Sequence, residues 1–207
     1  MIEQLLPLTK KKIDILKHLY ENQPTHLRKI SAELDIHPYL VKKHIDTLTA
    51  KHIIAQQPAG KTILLTINTL LDGIEHILYV VEEYKQKSEN KTLKNIIKSL
   101  QQQFGKNDQI ISCVVFGSYA RGAATKESDV DVLFIVKTND IETALIKKAS
   151  QLSTLMDLKF NPIIMTEDEF KTVLETKEPT TVTLLKPSQR IIVLGIEYFV
   201  RITVMQA

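Results

Sequence analysis

The sequence predicts an α+β chain in two parts, and three observations carry that prediction. Residues 1–68 hold three helical periodicities followed by two strand-like runs around a Pro-Ala-Gly turn. Residues 91–207 alternate apolar runs rich in β-branched residues with amphipathic helices, the order of a mixed sheet with helices packed against it. Between them, 69–90 reads as one amphipathic helix. The expected organisation is therefore 1–68, a linker or dimerisation helix at 69–90, and 91–207.

In the first part, Ile13, Leu16, Leu19 and Tyr20 recur at helical spacing over 9–22, with Thr9 at the N-cap and Pro24 beyond the end. Thr25 is expected to cap a second helix, 26–34, that turns Leu27, Ile30 and Leu34 inward. Asp35-Ile36-His37-Pro38 makes the turn, and a third helix over 38–51 buries Leu40, Val41, Ile45 and Leu48. Two strands, 52–57 and 61–67, then form a hairpin.

Three short helices and a hairpin resemble a winged helix-turn-helix domain, and HLRKISAELDIHPYLVKKHIDTLTAKHII…GKTILLTIN is similar to prokaryotic and archaeal members that regulate transcription. The resemblance implies DNA binding, with the helix after the turn in the major groove and the hairpin against the backbone. The outward residues Tyr39, Lys42 and Lys43 are the expected DNA contacts, and Arg28, Lys29 and Lys61 would hold phosphates. Ten of the 27 Lys and Arg residues, against six Asp and Glu, fall in 1–68, together with five of six histidines. That excess is modest, so one copy should bind DNA weakly and a homodimer is expected. A protein-docking role for the winged helix stays open.

In the second part, 69–90 presents Leu70, Leu71, Ile74, Ile77, Leu78, Val81 and Tyr84 on one side, and 91–104 is a further helix. Residues 110–116, IISCVVF, form a strand covered on both faces. Gly117 follows, where the backbone can approach a ligand, and Ser118 is expected to cap a short helix whose free N–H groups face an anion. Ten residues separate Ser118 from Asp129-Val130-Asp131, which opens the apolar strand 132–136. Strand alternation puts both carboxylates on one face about 6.6 Å apart, a spacing that suits Mg²⁺, or Mn²⁺, with phosphates completing its shell. A helix (141–155, with Leu145, Ile146, Ala149 and Leu152 inward), a strand (158–165), a helix capped by Thr166, a strand (190–195) and a closing helix or tail complete the chain.

Gly-Ser, ten residues, Asp-x-Asp, within GSYARG…SDVDV, resembles the signature of the polymerase-β-like nucleotidyltransferases, in the minimal prokaryotic form. The resemblance implies a nucleoside triphosphate as substrate or ligand, with Gly117, Ser118, Arg121 and Ser128 binding it and Asp129 and Asp131 holding the metal and serving catalysis. Arg121 either neutralises phosphate charge or pairs with Glu127 or Asp129. Members of this type often act as antitoxins that modify a helical toxin partner.

One position departs from the pattern. The family's third carboxylate maps, counting back from Thr166, onto Asn161, and an amide neither takes up a proton nor ligates a metal as a carboxylate does. Asp157 lies about 13 Å away along a strand. Three readings stay open: catalysis by two aspartates with an outside base; nucleotide binding without turnover, as in a non-catalytic regulator; or a shifted alignment in which Asp157 or Glu167 is the third ligand. A single cysteine, Cys113, in a core strand excludes an intramolecular disulfide framework, and no apolar run reaches membrane-span length. A cytoplasmic location is the expectation.

Overall fold

The computed structural model describes residues 8–176 and 184–204. The chain divides into two compact units, Met1–Tyr84 and Lys85–Ala207.

In the first unit, α1 (Lys10–Asn22), α2 (Leu27–Leu34) and α3 (Pro38–Thr49) precede an antiparallel hairpin, β1 (Ile54–Ala59) and β2 (Thr62–Ile67). Thr25 pairs with Leu65 through both backbone hydrogen bonds, adding a one-residue third strand to the hairpin. Ile15, Leu16 and Leu19 from α1, Ile30 from α2, Val41, Ile45 and Leu48 from α3, and Leu65 and Ile67 from β2 are all buried. This is a winged helix-turn-helix.

The cap of α2 and the burial of Leu40 differ from the sequence expectation. The cap of α2 is His26, whose Nδ1 accepts from the Lys29 N–H, because Thr25 is committed to the β2 pairing. His37 caps α3 in the same way, accepting from the Tyr39 N–H. Leu40 is exposed at the start of α3, since the buried stripe of that helix runs through Val41, Ile45 and Leu48.

The helix expected over 69–90 is α4 (Ile74–Ser88), and Leu70 lies outside it with 91% of its surface exposed. Asn68 explains the late start: its carboxamide oxygen accepts from the Leu70 N–H, and its backbone C=O accepts from the Leu71 N–H. Ile74, Ile77, Leu78 and Val81 are buried within the single chain, so most of the stripe expected to serve dimerisation is already covered. In the second unit the end of α4 is anchored by Lys85, whose ammonium donates to the carbonyls of Pro187 and Arg190.

The second unit builds a four-stranded sheet in the order β5-β4-β3-β6 from β3 (Ile110–Phe116), β4 (Val130–Val136), β5 (Phe160–Thr166) and β6 (Arg190–Leu194). β3 is antiparallel to both neighbours, and β4 and β5 are parallel, joined through α7 (Glu142–Met156). Leu93, Ile96, Leu100 and Phe104 of α5 (Lys91–Phe104), with Leu145, Ala149 and Leu152 of α7, pack on one face against Cys113, Val115, Val130, Val132 and Phe134. The Phe104 and Phe134 rings meet edge to face with centroids 4.8 Å apart. Ile146 faces outward, 47% exposed.

α8 (Glu167–Thr176) and α9 (Ile196–Val204) follow β5 and β6, and their Phe170 and Phe199 rings lie 5.6 Å apart. Thr166 and Glu169 form a reciprocal cap at the start of α8, Thr166 N–H donating to Glu169 Oε2 at 2.7 Å. That contact holds the Glu169 carboxyl below its usual range. Among the described residues no helix is long and apolar enough to cross a membrane.

Candidate functional site

Alternation along β4 decides where the two aspartates point. Val130, Val132 and Phe134 belong to the face under α5 and α7, so Asp131 lies on the opposite face, and Asp129, two residues earlier, shares its parity. Both side chains are half-buried rather than exposed. A carboxylate next to so apolar a strand needs polar partners, and both have them.

The Gly-Ser turn meets Asp131 through the β3/β4 register, which pairs Phe116 with Asp131. Gly117 has φ +74, and a Cβ built on it would lie 2.4 Å from Asp131 Oδ2. Only glycine permits both the backbone conformation and the approach of that carboxylate. The turn is α6 (Gly117–Ala120), and its N-cap is Phe116. Ser118 is thus inside the turn and is not its cap, because the chain reverses two residues earlier than expected. The first N–H groups of a single helical turn have no acceptor within it. Ala123 N–H donates back to the Ser118 carbonyl at 2.9 Å and closes the loop that follows.

β5 supplies a partner to each aspartate. The parallel register pairs Asp131 with Asn161, and Asn161 Nδ2 donates to Asp131 Oδ1 at 3.0 Å. Two residues earlier, Lys159 Nζ lies 2.6 Å from Asp129 Oδ2. Asp129-Val130-Asp131 at the start of β4 is thus matched by Lys159-Phe160-Asn161 at the start of β5, with Asp129 and Lys159 each one residue before its strand. Glu167 follows the far end of β5, about 20 Å along the strand from Asn161, where it pairs with Lys171. Asp157 is the exposed left-handed cap of α7, four residues before Asn161. Asn161 is the β5 side chain beside Asp131, and neither Asp157 nor Glu167 reaches that place.

Arg121 is exposed at the end of α6, and Asp129 takes its ion pair from Lys159 instead. Ser128 Oγ accepts from the Thr125 N–H at 2.9 Å, so it shapes the loop before the aspartates. Sequence reasoning missed Lys159. The alternation that identifies Asn161 opposite Asp131 identifies Lys159 opposite Asp129 as well.

The donor set fits a divalent ion with an open shell. Asn161 engages only Asp131 Oδ1, which leaves Asp131 Oδ2 for a ligand, whereas the Asp129 carboxylate already carries the Lys159 ammonium on Oδ2. Among the described residues no group of three or more His, Cys, Asp or Glu side chains could hold a metal, in keeping with an amide at position 161. Two carboxylates plus substrate oxygens are the ligand type Mg²⁺ takes. Cys113 in β3 is buried, and burial pushes its thiol far up, so it is a packing residue.

In the first unit, Arg28, Lys42 and Lys61 line one cleft between the helices and the wing, together with Asp46. Lys42 is paired with Asp46 at 2.7 Å. Lys29 lies 3.8 Å from Glu33, which also takes a 2.6 Å hydrogen bond from the buried His18, so Lys29 leans toward its own helix. Tyr39, 69% exposed, and Lys43 stand on the outer face of α3 and do not line the cleft. His44 is held below its ordinary range first by burial and then by Lys12, Lys11 and Lys43, which disfavours its charged form.

The nucleotidyltransferase domain matches residues 93–185. "Putative protein adenylyltransferase MJ0141" of Methanocaldococcus jannaschii is 36% identical over 91 residues, 42% of this chain and 78% of that protein. A second protein of that organism, "Putative protein adenylyltransferase MJ1305", is 46% identical over 52 residues, 25% of this chain and 34% of its own length. Among solved structures, a toxin-antitoxin with AMP-PNP shares 19% identity at TM-score 0.37, covering 54% of this chain and 83% of that one. Transcriptional regulator Tm0710 of Thermotoga maritima shares 17% at TM-score 0.35, covering 50% and 79%. With a relative of this identity matched over most of its length, the chain belongs to the nucleotidyltransferase family.

Proposed function

We propose that the second unit binds a nucleoside triphosphate with Mg²⁺ and transfers its nucleotidyl group to a hydroxyl, and that the first unit binds DNA. The approach of Asp131 Oδ2 to the Gly117 turn carries the reading, because it sets an acidic metal ligand against backbone amides suited to phosphate. Asp129 and Asp131 would hold the metal, and Gly117 and Ser118 would cradle the phosphates. The metal, when bound, supplies charge neutralisation for the triphosphate. The acceptor oxygen bonds to the α-phosphorus, the bond to the β-phosphate breaks, and pyrophosphate leaves.

The acceptor's proton needs a destination. Asn161 cannot take it, so it passes to a base outside this trio or to water. The relatives' names favour a protein hydroxyl as acceptor and ATP as donor. The test is transfer of label from α-labelled ATP to a co-purified protein or RNA. Label retained by Asp131→Ala would remove this site from the account.

Asn161 also favours a second reading, in which the nucleotide binds without turnover and biases DNA binding. A helical toxin partner is compatible with either reading. On the DNA side, Arg28 and Lys61, which line one cleft with Lys42 of α3, support groove binding with phosphate contacts from the wing, and two copies would strengthen it. Steeply salt-dependent binding to the protein's own promoter is the expected result.

A further inference from the structure

We propose that Lys159 is a built-in, displaceable cation of the acidic site. It holds Asp129 in the free protein, leaves when a divalent ion takes that carboxylate, and then meets the phosphates of the incoming nucleotide. The inference rests on reading the two aspartates as the metal seat.

Backbone position comes first. Val130 N–H donates to the Lys159 carbonyl at 2.7 Å, so the parallel ladder pins the root of this lysine beside Asp129. Its ammonium lies 2.6 Å from Asp129 Oδ2 across 30 residues of chain. The Lys42–Asp46 and Lys171–Glu167 pairs, by contrast, join successive turns of one helix. A one-residue shift of register would send Lys159 to the other face of the sheet, toward the α5 and α7 core.

Charge comes second. Two aspartates, one lysine and a neutral amide at 161 leave the site with one net negative charge. A divalent ion bound at about 2.1 Å from the carboxylate oxygens would sit too close to the ammonium for both to stay, since their charges repel within a few ångströms. The pair is also cheap to open. Lys159 is 76% exposed and Asp129 34%, and a solvent-facing ion pair on a flexible stem is weak. Once released, the ammonium is tethered at the rim of the site and carries donors that suit a triphosphate.

The test is a Mn²⁺ titration of the nucleotide-free full chain, followed by electron paramagnetic resonance, on wild type, Lys159→Met and Lys159→Arg. Lys159→Met is expected to bind Mn²⁺ roughly threefold to tenfold more tightly than wild type, the range that loss of an exposed competing cation allows. Lys159→Arg should stay near wild type, because the charge remains. A packing role for the lysine stem would not separate these two variants. Metal-free ATP, titrated in the presence of a chelator, should bind Lys159→Met more weakly than wild type. Equal Mn²⁺ affinity in wild type and Lys159→Met overturns the proposal, and if Asp131→Asn still abolishes that binding, the metal seat itself survives. Failure of every form to take up Mn²⁺ overturns the proposal and the metal reading together.

Discussion

The two units present charge in opposite ways. In the second unit, the candidate site residues stand on or just before two parallel strands, where the register pairs Asp131 with Asn161 and an ion pair joins Asp129 to Lys159. In the first, basic side chains stand on helix faces and a wing, where Lys42 and Lys29 turn to acids on their own helices. Under the proposed function, the sheet site should therefore be sensitive to single atoms, whereas the helical surface should work by summed charge. Substitutions should act sharply in one and gradually in the other.

The largest effect is expected at Asp131. Asp131→Ala should lower nucleotidyl transfer by about 100-fold or more, as loss of a principal electrostatic group does, with the melting temperature little changed because the side chain is only half-buried. Gly117→Ala comes next. The added methyl would lie 2.4 Å from Asp131 Oδ2 at φ +74, so nucleotide binding measured by calorimetry should be lost, at a backbone cost of about 1–2 kcal/mol. Asn161→Asp sharpens the comparison from the other side. A third carboxylate beside Asp131 should raise Mn²⁺ affinity by about tenfold, and it should raise label transfer if proton removal limits the rate.

On the helical surface each step should be small. Replacing Arg28 or Lys61 by Ala should weaken DNA binding uniformly across sequences and reduce the salt slope by about 1 per residue, read from fluorescence anisotropy at several salt concentrations. The smallest effect concerns pH. Glu33 is held below the ordinary carboxyl value of 4.5, chiefly by the hydrogen bond from His18 and then by Lys29. A depressed carboxyl stabilises the fold above pH 4.5 and loses that contribution as pH falls through its lower folded value. Glu33→Gln should flatten that acid limb of a melting-temperature profile while leaving pH 7 nearly unchanged.

How much of this could be read beforehand follows from the same contrast. The bounds of β3 and the parity of Asp129 and Asp131 were legible, because strand alternation and a glycine stop need only local sequence. So was Asn161, since a cap at Thr166 fixes the end of β5. Lys159 was legible in principle but requires pairing two strands 30 residues apart. The His26 cap was not, because Thr25 has the better capping chemistry and only the hairpin reveals that its backbone is engaged elsewhere. Leu40 and Leu70 fit helical stripes by spacing, yet Leu40 lies in the exposed first turn of α3 and Leu70 falls before α4 begins.

The convergence of the Gly117 turn and Asp131 on one metal-bound polyphosphate is tested most directly by calorimetric titration of ATP with Mg²⁺ into the full chain and into Asp131→Ala. The account predicts saturable, metal-dependent binding to the wild type and none to the variant. Equal binding by both proteins, or none by the wild type at millimolar nucleotide, would contradict it.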